Sequence, residues 1–165
     1  MSMIGEYFRV SATELRRAVH DPGWALDFIV ETQDAEDQAK PAPAPRHFST
    51  YKTWDLLRFL LRRADFPIDV IHGEEPLAKA DDWGYGPPRH LPVERVHLGA
   101  TLLARTTYDH LIANVDPQEL SRADVYPSGW ETPASLEWGH DYYAGLTQFF
   151  NAAARSEQAV LVWLD

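Results

Sequence analysis

The run AVLVWL, Ala159 to Leu164, constrains this chain more than any other stretch. It follows polar residues and is nearly all apolar. Successive side chains of a strand point to opposite faces, so an all-apolar strand has to be covered on both. Residues 3–10 read as a further strand, because Ile4, Tyr7, Phe8 and Val10 favour the pleated conformation. The expected architecture is α+β: a small sheet containing the N- and C-terminal strands, candidate neighbours of each other, packed with several helices. There is no internal repeat and no regular strand–helix alternation, which argues against a doubly wound nucleotide fold.

Between these strands the helix signals are local. Ser11 to Glu14, SATE, is a capping box and predicts a helix to about His20. Asp21-Pro22 predicts a second start, with Trp24, Phe28 and Val30 on the apolar side. Residues 34–46, DAEDQAKPAPAPR, lack apolar periodicity and read as a Pro/Ala-rich surface loop within one domain spanning 1–165. Residues 49–63 form the clearest amphipathic pattern, with Trp54, Leu57, Leu60 and Leu61 on one stripe and Arg58 and Arg62 opposite. FPIDVIHGEEP follows as a short apolar segment turning at Gly73. A helix is expected from Pro92 to about Thr107, a shorter one over 108–115, another from Asp116-Pro117 to Ala123, and a long one over 135–155.

Composition narrows the class of function. The formal net charge is −10, which repels phosphate backbones and anionic lipid, so neither nucleic acid nor membrane is an expected partner. The cluster Arg58, Arg62, Arg63 reads as the solvated face of a helix. The absence of cysteine removes disulfides, thiolate catalysis and cysteine-based metal sites. MSMIGEYFRV has no basic segment followed by an apolar run, and no apolar stretch approaches the ~20 residues of a membrane helix. A cytoplasmic protein is expected.

No catalytic signature stands out. His90, Glu94 and His97 have a spacing that could share a helical face, but Pro92 separates His90 from the helix and HExxH is absent, so no metal and no cofactor are expected. His72-Gly-Glu74-Glu75 and His140-Asp141 are possible ligand pairs, but single histidines are commoner as ordinary surface or capping groups. The acid pairs Glu74/Glu75 and Asp81/Asp82 could do acid–base work in a dry pocket, or be solvated turn residues. No G-x-S-x-G occurs. Gly84-Tyr85-Gly86 lacks the third glycine of a dinucleotide fingerprint.

DDWGYGPPRHLP, residues 81–92, remains. Its glycines permit unusual backbone angles and its prolines fix φ, so Trp83, Tyr85 and Arg89 could be held in set directions as a recognition surface. The competing reading has Trp83 and Tyr85 closing the core and Arg89 paired with an acid such as Glu75. VYPSGW, Val125 to Trp130, is a second loop of this kind. If the two loops meet, they would line one aromatic cleft.

MSMIGEYFRV, TWDLLRFLL, HGEEP, GYGPPRHL, DPQELSRADVYPSGW and the final helix and strand, taken in order, resemble the bacterial YfbM-like family. The resemblance spans nearly the whole chain, and GYGPxR and VYPxxW are its most specific parts. It implies an α+β single-domain fold and no established activity. Its recurring positions here are Trp54, Gly73, Glu74, Glu75, Gly84, Tyr85, Gly86, Pro87, Arg89, Tyr126, Pro127 and Trp130. The Pro/Ala-rich 40–45 segment, the basic Arg62-Arg63 pair and a longer stretch between Glu75 and Gly84 depart from its pattern.

The expectation is a non-catalytic binding or interaction module for a protein segment or small ligand. Its candidate binding residues are Trp54, Glu74, Glu75, Trp83, Tyr85, Arg89, Tyr126 and Trp130. The alternative is a hydrolase or transferase of unfamiliar type, with Glu74 or Glu75 as acid–base and Arg89 as anion clamp.

Overall fold

A computed structural model describes residues 2–40 and 44–165. The fold is α+β, built on a five-stranded sheet in the order β2-β1-β5-β4-β3, with every neighbouring pair antiparallel. Strand β1 (Gly5–Ser11) lies along β5 (Gln158–Leu164) for its whole length, from Gly5 opposite Leu164 to Ser11 opposite Gln158. The N- and C-terminal strands are therefore neighbours at the centre.

The apolar run of β5 needs cover on two faces, and it has it. Val160 and Val162 face one core cluster, with Tyr7 and Leu91, under α3 (Trp54–Arg63), α4 (Val93–Arg105) and α8 (Trp138–Arg155). Ala159 and Leu161 face the other, with Phe8 and Val10, under α1 (Ala12–His20) and α2 (Pro22–Gln38). Shorter helices α5 (Tyr108–Ile112), α6 (Pro117–Arg122) and α7 (Pro133–Leu136) close the first core.

The capping chemistry holds. The Ser11 hydroxyl accepts from Glu14 N while Ser11 N donates to the Glu14 carboxylate, and the Asp21 carboxylate accepts from Trp24 N. Asp116 and Glu119 form a second capping box at α6.

Several expectations are corrected. Helix α2 runs on to Gln38, so residues 34–38 are its last turns rather than loop; residues 41–43 of the Pro/Ala-rich stretch lie outside the described residues. Val30 is half exposed, off the buried side that Ala25 and Ile29 form. The helix expected from residue 49 begins at Trp54, because His47–Tyr51 is the edge strand β2. The chain turns between them, with Tyr51 at φ 52 and the Thr53 hydroxyl donating to Thr50 O. Pro92 is the N-cap of α4 rather than its first residue, and α4 ends at Arg105. The helix expected over 135–155 is two, broken at Glu137. Two short strands were not foreseen: β3 (Glu75–Pro76) and β4 (Arg89–Leu91) extend the sheet beyond β5.

Candidate functional site

Strand β4 begins at Arg89, paired with Val162 of β5. Ahead of it stand Pro87 and Pro88, which have no N–H to donate, so the sheet ladder does not continue past Val162 on that side. The 84–87 loop instead arches over the end of β5, and Tyr85 N donates to Leu164 O (2.9 Å). Gly84 allows this approach. Its φ is +130, and a Cβ there would lie 2.5 Å from Leu164 O.

The result is a cleft of about 330 Å³, floored by Val162 and Leu164 and walled by His72, Tyr85, Pro87 and Arg89. Tyr85 is 40% exposed. The Arg89 guanidinium is held from behind: Nε donates to Gly73 O (3.2 Å) and Nη2 to Glu74 O (2.8 Å). Both acceptors are neutral carbonyls, and none of the ion pairs among the described residues includes Arg89. The expected pairing with Glu75 does not form. The Glu75 carboxylate lies 3.2 Å from His90 Nε2 and is largely in solvent.

Glu74 faces away from this cleft. Both its oxygens accept from Arg95, at 2.6 and 2.9 Å, and these bonds hold its carboxyl below the usual range. It lines a smaller hollow of about 210 Å³ with Arg58, Arg62 and Asp69, on the far side of the turn at residues 71–74. Trp83 is buried in the second core, edge-on to Trp163 at 5.5 Å.

The aromatic residues of the second loop sit elsewhere. Trp130 is buried and its Nε1 donates to Val125 O (3.1 Å). The Tyr126 hydroxyl accepts from Met3 N (2.9 Å), its ring stacks on Trp54 at 5.8 Å, and the Tyr126–Pro127 peptide bond is cis. Tyr126 and Trp130 border a hollow of about 300 Å³ of their own. The two loops therefore do not share a cleft, as they would if they met. What joins them is a chain of rings: Tyr126 on Trp54, then Trp54 against His72 at 5.5 Å, then the cleft. Trp54 is buried in that chain, and its Nε1 donates to Met3 O.

His72 is the residue that sequence reasoning set aside as a surface group. Burial holds its imidazole below the ordinary histidine range; Arg58 and Arg62 act in the same direction, against Asp69 and Asp55. Asp69 fixes its backbone by accepting from His72 N (2.9 Å). Asp55 is itself buried, bonded to Arg58 and to Tyr126 N. The local signal was the turn at Gly73, where φ is +80. That Val162 and Leu164 would meet the 84–89 loop had no local signal, because they come from the other end of the chain. No group of three or more His, Asp or Glu suited to a metal occurs among the described residues; His90 lies on β4, while His97 on α4 pairs with Glu157.

The chain matches the model of a domain of unknown function, DUF1877, over residues 1–163. The chain belongs to this family. In overall shape this member is similar to a protein of unknown function, YfbM from Escherichia coli, whose crystal structure superposes with a TM-score of 0.66 at 14% identity, covering 98% of this chain and 99% of that one. That likeness shows a shared fold. The family resemblance read from GYGPPRHL and VYPSGW is thus established, and it brings no activity with it. No curated protein matches the chain. Among the described residues no helix is long and apolar enough to cross a membrane.

Proposed function

We propose that this family member is a non-catalytic binding module that holds a small ligand in the cleft between the 84–89 loop and the end of β5. The observation that carries this reading is Arg89. Its guanidinium is clamped by two neutral carbonyls at the wall of a cleft, with no carboxylate paired to it among the described residues. A fixed cation beside an apolar floor, with a half-exposed Tyr85 ring above it, is a few polar groups in a mostly apolar concavity. The volume falls at the lower end of the roughly 300–1,000 Å³ of small-molecule sites.

The hydrolase or transferase reading needs a carboxylate converging with Arg89. Glu74 is saturated by Arg95 and Glu75 is turned to His90, and neither lines the cleft. The geometry therefore favours binding. The proposal takes the protein as cytoplasmic, and the net charge of −10 keeps nucleic acid and membranes out of the list of partners.

The test is amide NMR against a small-molecule set containing anionic, neutral and cationic members. Ligands that bind should shift His72, Tyr85, Arg89 and Leu164. Tyr85→Ala, at an exposed ring, should leave stability within about 0.5 kcal/mol and abolish those shifts. Shifts confined to other surfaces, or unchanged binding in Tyr85→Ala, would overturn the reading.

A further inference from the structure

We infer that the ligand of this cleft is a small aromatic carboxylate, one or two rings in size, with its carboxylate on Arg89 and its ring over Val162 and Leu164 beside Tyr85. The inference rests on the binding reading above and adds the chemistry of the ligand.

The protein carries a net −10, yet this wall presents an arginine with no acidic partner among the described residues. Nε donates to Gly73 O and one N–H of Nη2 to Glu74 O, and Nη1 has no protein partner among the described hydrogen bonds. A guanidinium anchored in this way loses little freedom on meeting an anion, and its plane is already set. The nearest candidates for internal neutralisation are taken or turned away. Glu74 belongs to Arg95, Glu75 faces His90, and Asp165, beside Gly84, does not line the cleft. His72 lines the same cleft, and burial lowers its affinity for a proton.

An anion alone would be satisfied by Arg89 and would leave the exposed parts of Trp163 and Leu164 at the cleft in water. The 84–87 loop sets Tyr85 over the floor through the Tyr85 N to Leu164 O bond, and Pro87 stiffens the side wall. A flat ring fits between a stiff rim and an apolar floor at low entropic cost, and the Tyr85 ring can meet it edge-on or offset. About 330 Å³ accommodates one or two rings.

The experiment uses the whole protein and three defined probes followed by amide NMR titration: benzoate, its neutral isostere benzamide, and acetate. Benzoate should bind at least tenfold tighter than either control and shift His72, Tyr85, Arg89 and Leu164. Arg89→Gln should remove the preference for benzoate over benzamide. Because that variant also frees the Gly73 and Glu74 carbonyls, Tyr85→Ala is the second variant, and it should bring benzoate down to the level of acetate. Equal binding of benzoate and benzamide at the cleft would overturn the carboxylate and leave the binding reading standing. Equal binding of benzoate and acetate would overturn the aromatic body in the same way. Binding of none of the three, together with no shift at the cleft from the wider set, would overturn both.

Discussion

Trp83 to Arg89 and Val125 to Trp130 are built from the same materials: glycine, proline and large rings. In the second loop the rings turn inward. Trp130 is 3% exposed, stacks on Trp138 and donates its ring N–H to a carbonyl of its own loop. In the first loop Trp83 also turns inward, but Tyr85 two residues later is 40% exposed and Arg89 faces a cleft. The difference lies beneath the loops. Residues 125–130 cover a helical core that needs filling. Residues 84–87 cross the end of a strand whose partner has been cut short by two prolines, so the backbone is used in closing the edge and the side chains are left over. Composition alone does not make a recognition loop; what the loop lies against decides it.

The largest test of that contrast is Trp130→Ala. Removing a buried indole should cost about 3–5 kcal/mol, a fall of roughly 10 °C in melting temperature for a chain of this size. A loss under about 1 kcal/mol in a denaturant titration would mean that the second loop is as free of the core as Tyr85 is.

Glycine substitutions sharpen the first loop. At Gly84 an added Cβ meets Leu164 O at 2.5 Å and Asp165 Cα at 2.9 Å, in a region that L residues avoid. Gly86, at φ +102, has nothing within 4 Å. Both alanine variants carry backbone strain of about 1–3 kcal/mol, but only Gly84→Ala adds a clash with backbone. Gly84→Ala should therefore unfold at clearly lower denaturant than Gly86→Ala. Equal midpoints would show that the loop does not lie on β5 as described.

Much of the frame was legible because its signals are local. SATE and Asp21-Pro22 announce helix starts through bonds spanning three residues, and AVLVWL announces a strand covered on both faces. Strands β2, β3 and β4 were not legible. His47–Tyr51 carries only one buried residue, Thr50, and β3 and β4 are two and three residues long, set by pairing with distant partners rather than by their own pattern. The site divides the same way. Tyr85 and Arg89 stood out by loop chemistry, whereas Val162 and Leu164 joined them through the β4–β5 pairing, and Glu74 was claimed by Arg95 from a helix twenty-one residues on.

His72 gives the smallest and most local test, because with Trp54 it makes the chain of rings that joins the second loop to the cleft. Burial lowers its affinity for a proton in the folded protein, so the unfolded chain takes the proton more readily. The stability tied to the neutral ring is thus fully present above the ordinary histidine value of about 6.5, and is lost as pH falls below it toward the lowered folded value. Glu74 has the same sign, but its window opens only in the carboxylate range below about 4.3, so the two are separable. His90 is also buried and lowered, and acts alongside His72 in the upper window. Denaturant midpoints of the wild type should fall between pH 7.5 and 5.5, and His72→Gln should flatten that fall, leaving the part due to His90. If His72→Gln kept the full pH dependence, the ring would be open to water, and the aromatic chain joining the cleft to the second loop would be broken at its middle member.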